Sequence, residues 1–369
     1  MHFLEIPTPA FLVDQQRFRR NCDAMRAKAE RSGVAFRPHV KTHKTIEGAR
    51  LQHGGASGPI TVSTLAEAEA FGATGFGDVT YAVPIDPGKL ERAADLMRTI
   101  RLAVLIDHAV AAEALDEWGR AHDVRFRVFL KVDSGAKRAG VDPDSDEAVA
   151  LGRRLTESPA IEFVGLLTHA GHSYAARSRE EIVPIAESEA AVLTALRDRI
   201  GAEGLLRSVG ATPTASVVDR IPDTDEVRPG NYVFYDAFQA AIGSCTLDDC
   251  AASVLVTVLS HYPAQNKMIV DGGALALSKD TGPTHVDSDC GYGIVCDGAL
   301  RPLPLRFAAL SQEHGQIVGR GAIDFAKHPI GSRLRIVPNH SCLTAALFEH
   351  YWIVEEGKIV DEWRPVRGW

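Results

Sequence analysis

The feature that most limits the possible folds is a regular alternation of short apolar runs and helical stretches across the first 235 residues. Eight apolar runs have the length of buried strands, and short connections join them to helical stretches. These strands are predicted at 36–42, 59–64, 78–84, 101–107, 124–133, 161–169, 206–211 and 227–234. The pattern is typical of a closed parallel (β/α)8 barrel of the TIM type. An open doubly wound sheet typically has a Gly-rich fingerprint after its first strand, and none is present in this sequence.

Helical periodicity fills the intervals between these runs and then fades. A further strand is predicted at 10–14, and helices are predicted at 15–32, 65–75, 87–99, 109–122, 145–157 and 179–203. Later in the chain, strands and turns prevail, with strands at 252–262, 267–270, 303–310, 315–318, 333–337 and 351–355. We therefore predict an α/β barrel domain over 10–235, followed by an all-β domain over 236–369 that also takes residues 1–9.

Composition and charge exclude several classes of protein. Hydrophobic residues at 45% and charged residues at 24% are ordinary values for a globular chain. The formal net charge of −8 argues against nucleic acid or an anionic membrane as the main partner. The first residues lack the features of a signal peptide, and no apolar run approaches the ~18 residues of a membrane span. We expect a soluble, cytoplasmic protein whose six cysteines are reduced. Cys245, Cys250, Cys290 and Cys296 are expected to be structural, because their spacings are too loose for a zinc ribbon or finger.

The densest group of basic side chains is the octapeptide 37–44, at the predicted end of the first barrel strand. A lysine where a strand leaves the core can be partly desolvated, which lowers its pKa and makes its amine a usable nucleophile. Arg37, His39 and His43 would suppress protonation of Lys41, insofar as they are charged. Lys41 and His43 are therefore candidate catalytic residues. Taken alone, the octapeptide also fits a solvated basic turn.

Further polar residues follow the other predicted strands, at the end where barrel enzymes build their sites. They are Arg138, His169, Tyr174, Asn231 and Tyr232. The loop 210–214 follows the seventh strand, and its small residues and hydroxyls, from Gly210 and Thr212 onward, favour an anion such as phosphate. A plain Gly/Pro turn is the alternative. A nucleophilic lysine together with a phosphate loop suggests pyridoxal 5'-phosphate (PLP), which carries an aldehyde and a phosphate.

A second candidate site lies in the predicted β domain, at 338–342. Residues i and i+2 of a strand project to one face, so His340 and Cys342 would share a face there. Imidazole and thiolate suit a borderline-soft metal such as zinc, with positions left for water or substrate. A buried histidine beside a buried cysteine is the simpler alternative.

Nine stretches distributed along the chain carry a family resemblance. They are RPHVKTHK (37–44), TVSTLAEA (61–68), KVDSGAKRAGV (131–141), HAGHSY (169–174), SVGATPT (208–214), PGNYVFYD (229–236), SQEHG (311–315), PNHSC (338–342) and PVRGW (365–369). In this order they resemble the zinc-dependent, eukaryotic-type D-serine dehydratases. Those enzymes belong, with the D-threonine aldolases, to the alanine-racemase-like PLP enzymes of fold type III.

The resemblance implies a PLP-binding barrel, a β domain and usually a homodimer. It implies that Lys41 is the Schiff-base lysine and that Tyr174 lies near the pyridine ring. Gly210 and Thr212 match the phosphate contacts of the family. The role of Arg228 stays open, because alanine racemases use an arginine before Pro-Gly to contact the ring nitrogen whereas dehydratases vary there.

The implied activity is the loss of water from D-serine, which yields pyruvate and ammonia. Lys41 would remove the α-proton, and zinc on His340 and Cys342 would assist departure of the β-hydroxyl. D-threonine aldolases usually have aspartate where this chain has Cys342, which favours elimination. D-threo-3-hydroxyaspartate dehydratases also carry cysteine there, so the substrate among β-hydroxy D-amino acids stays open. A non-catalytic PLP carrier is a more distant alternative, against which the His-x-Cys pair argues.

Overall fold

The computed structural model describes residues 1–369, and their contacts divide the chain into two compact units. The β unit comprises Met1–Cys22 and Asn231–Pro365, and the α/β unit comprises Asp23–Gly230 and Val366–Trp369. None of the helices combines the length and the apolar character that crossing a membrane requires.

The chain begins with strand β1 (Ala10–Asp14) and helix α1 (Gln15–Ser32), both at the predicted positions. Phe18, Cys22 and Ala29 are buried at helical spacing along α1. The helix therefore forms because one apolar stripe of its surface can be removed from water.

The α/β unit contains an eight-stranded parallel sheet. Its strands are β2 (Ala35–Phe36), β3 (Ile60–Val62), β4 (Asp78–Pro84), β5 (Arg101–Ile106), β6 (Phe126–Lys131), β7 (Ile161–Leu167), β8 (Leu206–Val209) and β9 (Glu226–Val227). Its helices are α2 (Ile46–Gln52), α3 (Leu65–Gly72), α4 (Leu90–Met97), α5 (Ala109–His122), α6 (Asp146–Glu157), α7 (Arg179–Ile200) and α8 (Thr212–Val217). The strand order is β2-β9-β8-β7-β6-β5-β4-β3. The predicted alternation of strands and helices is confirmed.

Two of the predicted barrel strands are much shorter than the sequence suggested. The strand predicted at 36–42 ends at Phe36, because Pro38 has no backbone N–H to donate. His39 forms an isolated parallel bridge with Thr61, and Val40–Thr42 forms a 3-10 turn. The strand predicted at 227–234 likewise keeps only two residues and leads into a 3-10 turn at Asn231–Val233.

The β unit is built on a nine-stranded sheet. Its remaining elements are α9 (Ala237–Ala241), β10 (Ala252–Tyr262), β11 (Lys267–Val270), α10 (Ala274–Leu277), β12 (Ile294–Cys296), β13 (Pro302–Leu310), β14 (Gly315–Gly319), β15 (Arg333–Val337), α11 (Ser341–Ala345), β16 (Tyr351–Glu355) and β17 (Lys358–Trp363). The strand order is β11-β14-β13-β12-β15-β10-β1-β16-β17. Every neighbouring pair is antiparallel except β1 and β16.

Strand β1 falls inside the range predicted for the barrel domain, but it pairs with β10 and β16 in this second sheet. Phe11 is fully buried, and its ring centroid lies 4.8 Å from that of Tyr351. Aromatic packing within the β unit therefore accompanies the backbone pairing of β1.

The segment that carries His340 and Cys342 is not a strand, as the sequence analysis supposed. Strand β15 ends at Val337, His340 is the N-cap of α11, and Cys342 lies in the first turn of that helix. The expectation that the two side chains share the face of a strand is therefore wrong. Their proximity has a different origin, described below.

Candidate active site

Backbone contacts on both sides hold the segment that carries Lys41. His39 N donates to Pro229 O at 2.9 Å, and Thr61 N donates to Pro38 O at 2.9 Å. Lys41 N is 3.4 Å from Nδ1 of His39. The position of the Lys41 backbone is thereby set by β3 and by the turn that follows β9.

A buried ion pair supports the same segment on its C-terminal side. Lys44 Nζ lies 2.8 Å from Oε1 of Glu67, whose side chain is almost completely buried. Lys44 N also donates to Val40 O at 2.7 Å, which closes the turn. Lys44 adopts a positive φ of 54°, a conformation that costs free energy for a residue other than glycine. Glu67 therefore helps to stabilise a turn that the local backbone does not favour.

Two buried imidazoles lie close to Lys41. Burial lowers the pKa of His39 and of His169 well below the usual value, and the charge of Lys41 lowers both further. Nδ1 of His169 donates to the carbonyl oxygen of Gly210 at 2.5 Å. His169 thus connects the surroundings of Lys41 with the loop after β8. Because its pKa is lowered, His39 is neutral and does not add to the repulsion of a protonated Lys41 that was expected from charged neighbours.

His43, the second predicted catalytic residue, is held by groups of α2 and of its N-cap residue. Its Nδ1 accepts from Thr45 N at 3.1 Å, and its Nε2 lies 3.2 Å from Oε1 of Gln52. Burial lowers the pKa of His43 to about 4 despite these hydrogen bonds. These contacts indicate that His43 stabilises the start of α2 as a neutral imidazole.

Positive charge dominates the strand ends around His39 and His169. Lys131 ends β6 and is 6% exposed, and burial, followed by the charges of Arg228 and Arg138, lowers its pKa to about 7. Lys131 and Arg138 also lower the pKa of His169, and Arg228 lowers that of His39. A cluster of this sign favours an anionic ligand.

Arg228, whose role the sequence left open, is buried and joins two strand ends. Its Nε donates to Oγ of Ser208 at 2.7 Å, and its Nη2 donates to the carbonyl oxygens of Thr168 and Ser208. Burial lowers the pKa of Arg228 to about 10. The guanidinium therefore fixes the ends of β7 and β8 next to the loops that carry His169 and Gly210.

The loop after β8 is tightly packed around Gly210. A Cβ atom at this position would lie 3.0 Å from the carbonyl oxygen of Arg228, so a larger residue would displace the backbone. Thr212 and Thr214 are both buried. The loop can therefore present backbone groups and hydroxyls to an anion only in the shape that this packing imposes.

The other predicted cofactor residues fall into two groups. Arg138 and Tyr174 lie in the segments that follow β6 and β7, on the same edge of the sheet as Lys41 and Gly210. Asn231 and Tyr232 belong to the β unit, where both are buried.

Asn231 contacts the candidate metal ligands of the β unit. Its Nδ2 donates to Ser341 Oγ at 2.9 Å and lies 3.6 Å from Sγ of Cys342. The same Nδ2 lies 2.8 Å from Oδ2 of Asp236, which also accepts from Ser341 N at 3.0 Å. Asp236 and Asn231 thus hold the first turn of α11, and this turn places Cys342 beside His340.

His340 and Cys342 are in hydrogen-bond contact, and Nδ1 of His340 lies 3.2 Å from Oδ2 of Asp280. Burial alone would lower the pKa of His340, but Asp280 and Cys342 outweigh it and raise the pKa to about 11. Such surroundings stabilise a positive charge. No third His, Cys, Asp or Glu completes a metal site in the structure. Neither Asp280 nor Asp236 was among the predicted site residues. Asp236 ends the stretch 229–236 that carries the family resemblance, whereas no local pattern marks Asp280.

Comparisons with known proteins agree with this architecture. The alanine racemase N-terminal domain family matches residues 13–237, and a serine dehydratase domain family matches residues 251–354. A D-threo-3-hydroxyaspartate dehydratase from Delftia sp. (strain HT23) is 38% identical, with 99% of each chain covered. The D-serine dehydratase of Dictyostelium discoideum is 36% identical, with 98% of this chain and 97% of that protein covered. The solved structure of the Delftia sp. HT23 enzyme matches over 100% of both chains, with a TM-score of 0.94 and 37% identity.

The fold and the first family match define the class, that of alanine-racemase-like PLP proteins of fold type III. Within this class, the chain belongs to the D-serine dehydratase family, which confirms the resemblance seen in the sequence. Named relatives are dehydratases and aldolases, which are lyases, so the protein is an enzyme of the lyase type.

Proposed function

We propose that the protein is a PLP- and zinc-dependent D-serine dehydratase, which converts D-serine to pyruvate and ammonia. The observation that carries the proposal is the position of His169. The charge of Lys41 lowers the pKa of His169, and the His169 ring donates to Gly210, so one imidazole interacts both with the lysine and with the candidate phosphate loop. The D-serine dehydratases among the relatives, at 32–36% identity over nearly the full chain, support the choice of substrate.

The residues of the α/β unit fit PLP. Lys41 would hold the aldehyde carbon, Gly210 and Thr212 the phosphate, and Arg138 and Tyr174 the groups around the ring. The buried cations match an anionic cofactor, and the lysine amine matches its aldehyde. When bound, PLP supplies an electron sink for the charge left on Cα after the α-proton departs.

Lys41 is the residue that we assign to removal of the α-proton. An amine must be neutral to accept a proton. Nearby positive charges and partial desolvation both favour the neutral form of a lysine. His39 and His169 are already neutral, so they place no further positive charge next to the amine. His39 belongs to the same segment, and its Nδ1 lies 3.4 Å from Lys41 N.

The residues of the β unit fit a metal ion held by His340 and Cys342. Asp280 binds Nδ1 of His340 and thereby leaves Nε2 as the nitrogen for the metal, as in other carboxylate–histidine pairs. A thiolate ligand favours zinc over manganese or magnesium. When bound, zinc supplies Lewis-acid assistance to departure of the β-hydroxyl. Asn231 donates toward Sγ of Cys342 and would stabilise it as a thiolate.

Solved relatives support the metal role of this pair. Among them are two variants of a D-threo-3-hydroxyaspartate dehydratase, one with a histidine replaced by alanine and one with a cysteine two positions later replaced by alanine. The cysteine variant is described in its metal-free form. The spacing of the two replaced residues equals that of His340 and Cys342 in this chain.

A second candidate function is dehydration of D-threo-3-hydroxyaspartate, which the 38% identical relative favours. The D-threonine aldolase of Arthrobacter sp. is more distant, at 27% identity. We propose to separate these functions by incubating the purified protein with each β-hydroxy D-amino acid. Pyruvate from D-serine supports the first proposal. Faster release of oxaloacetate from 3-hydroxyaspartate supports the second, acetaldehyde and glycine from D-threonine indicate an aldolase, and cofactor binding without turnover indicates a carrier.

Two further proposals concern closure of the parallel sheet and the oligomeric state. We propose that the eight parallel strands close into a TIM-type barrel, because the bridge between His39 and Thr61 joins the segment after β2 to β3. We also propose a homodimer, as the family resemblance implies. Light scattering during size-exclusion chromatography would test it, since a mass of about 39.8 kDa would indicate a monomer instead.

A further inference from the structure

Helix α7 carries one carboxyl group on its buried face. Glu189 is 3% exposed, and the buried residues Ala186 and Leu193 lie one turn before and after it. The other acidic residues of α7, Glu180, Glu181, Glu187 and Asp198, are exposed. A buried carboxyl is costly unless it is hydrogen-bonded, so Glu189 requires a specific explanation.

The contacts of Glu189 reach two of the connections that carry predicted cofactor residues. Oγ1 of Thr214, in the first turn of α8 directly after the loop that follows β8, donates to Oε1 of Glu189 at 2.6 Å. The amides of Gly210 and Ala170 lie near the same carboxyl, although no regular hydrogen bond reaches Oε2. Ala170 immediately follows His169. One side chain therefore touches the loop after β7 and the loop after β8.

The charges around Glu189 leave its ionisation sensitive to a ligand. Arg228 at the end of β9 and Lys131 at the end of β6 are the charged groups that face it from the sheet. Burial raises the pKa of Glu189 to about 7, even though the hydrogen bond from Thr214 and the charge of Arg228 act against it. The carboxyl is therefore poised between its neutral and ionised forms near neutral pH.

We propose that Glu189 is a positioning residue, which holds the loops after β7 and β8 in the shape that receives the cofactor phosphate and takes up a proton from solvent when the phosphate binds. This inference rests on the proposed function, because it takes the loop 210–214 as the phosphate site. A dianion placed beside the loop stabilises the protonated form of a nearby carboxyl. By linkage, phosphate binding must then weaken as the pH rises.

The test compares PLP with pyridoxal, which lacks the phosphate, on enzyme stripped of its cofactor. Affinities are measured by absorbance between pH 7 and 9, where the phosphate, with a second pKa near ~6, is already a dianion. For the wild type we expect the PLP-to-pyridoxal affinity ratio to fall with rising pH, by up to about tenfold per pH unit. Both compounds carry the aldehyde that reacts with Lys41. Dividing the PLP affinity by the pyridoxal affinity therefore removes the effect of Lys41 protonation from the ratio.

Substitutions separate the electrostatic and the mechanical contributions. Glu189→Gln retains an acceptor for Thr214 but has no charge, so its ratio should fall less steeply with pH than that of the wild type and should exceed it at pH 8.5. The slope that remains in Glu189→Gln reports Lys131, whose pKa of about 7 lies in the same range. Thr214→Val and Glu189→Ala lose the anchoring hydrogen bond, so the ratio should drop about tenfold at pH 7. Glu187→Gln removes the same charge from the exposed side of α7 and should behave as the wild type.

Several outcomes would overturn the inference. A wild-type ratio that does not change with pH, or a Glu189→Gln profile with the wild-type slope, would contradict proton uptake at Glu189. Unchanged ratios in Glu189→Gln and Thr214→Val, with only a lower melting temperature, would show that Glu189 is merely structural. Failure of the wild type to bind PLP would instead overturn the proposed function, which distinguishes the two failures. The Glu189→Gln variant tests proton uptake at Glu189 even if Glu189→Ala does not fold.

Discussion

Histidines with shifted pKa values occur in both units of the molecule, and their neighbours differ. In the α/β unit, burial lowers the pKa of His39, His43 and His169, and cationic neighbours add to the effect at His39 and His169. In the β unit, Asp280 and Cys342 raise the pKa of His340 to about 11 against the same effect of burial. Burial alone therefore does not decide the charge of an imidazole. Acidic neighbours can outweigh burial, as Asp280 and Cys342 do at His340.

This difference matches the two ligands that we propose. The strand ends of the α/β unit collect Lys131, Arg138 and Arg228 around Lys41 and suit a phosphate-bearing cofactor. The turn at the start of α11 collects a carboxylate and a thiol around His340 and suits a metal cation. The predictions below test the proposed cofactor site of the α/β unit and the proposed metal site of the β unit, in order of decreasing expected effect on turnover.

The largest effect is expected from Lys41→Ala. This substitution removes the amine that we assign both to cofactor attachment and to proton removal, so pyruvate formation should fall by about 10³-fold or more. Borohydride reduction followed by mass spectrometry should no longer attach PLP to the chain. Lys44→Ala, in the same basic segment, should retain the adduct. An adduct that persists without Lys41 would show that another residue binds PLP. It would contradict the cofactor site that we propose for the α/β unit.

Cys342→Ala should have the next largest effect. Loss of the thiolate should release the metal and lower elimination by about 10²- to 10³-fold, because the hydroxyl then departs without a Lewis acid. PLP should stay bound, which its absorbance would show. Cys290→Ala replaces another partly exposed thiol of the β unit and should change neither metal content nor turnover. Full activity after proven zinc loss would contradict the role of the metal.

The sequence allowed the candidate residues of the α/β unit to be grouped more readily than those of the β unit, for a physical reason. Carboxyl ends of parallel strands share one edge of a sheet, so Arg138, His169 and Gly210 could be grouped without knowledge of any contact. No comparable rule applies to Asp280 and His340, which meet across 60 residues of chain. His340 and Cys342 were paired from strand geometry, whereas a helix cap actually brings them together.

A moderate effect is expected from Asp280→Asn. The neutral amide replaces a carboxylate that accepts from Nδ1 of His340, so metal affinity should fall by about 10- to 100-fold. Added zinc should restore turnover, which distinguishes this variant from Cys342→Ala. Asp287→Asn, at an exposed position in the same connection, is the matched control. Equal zinc affinity in Asp280→Asn and the wild type would show that the carboxylate does not orient His340.

The smallest effect on turnover is expected from His43→Gln, which also tests whether His43 is catalytic. A glutamine can accept from Thr45 N and donate to Gln52, so catalysis should be nearly unchanged. Loss of a general acid or base would instead lower turnover by about 10²-fold or more. Such a loss, with PLP still bound, would restore the catalytic role that the sequence suggested.

The stability of the His43→Gln variant should show a distinct pH dependence. The folded protein holds His43 neutral down to a pKa of about 4, whereas the unfolded chain takes up a proton below the usual value of 6.5. The contribution of His43 is therefore fully present above pH 6.5 and is lost as the pH falls toward 4, by ~3 kcal/mol in the free energy of unfolding. Urea titrations between pH 7 and 4 should show this loss in the wild type and in His122→Gln, an exposed control, but not in His43→Gln. Parallel curves for all three proteins would mean that His43 is charged in the folded state. The proposed difference between a neutral His43 and a positively charged His340 would then be contradicted.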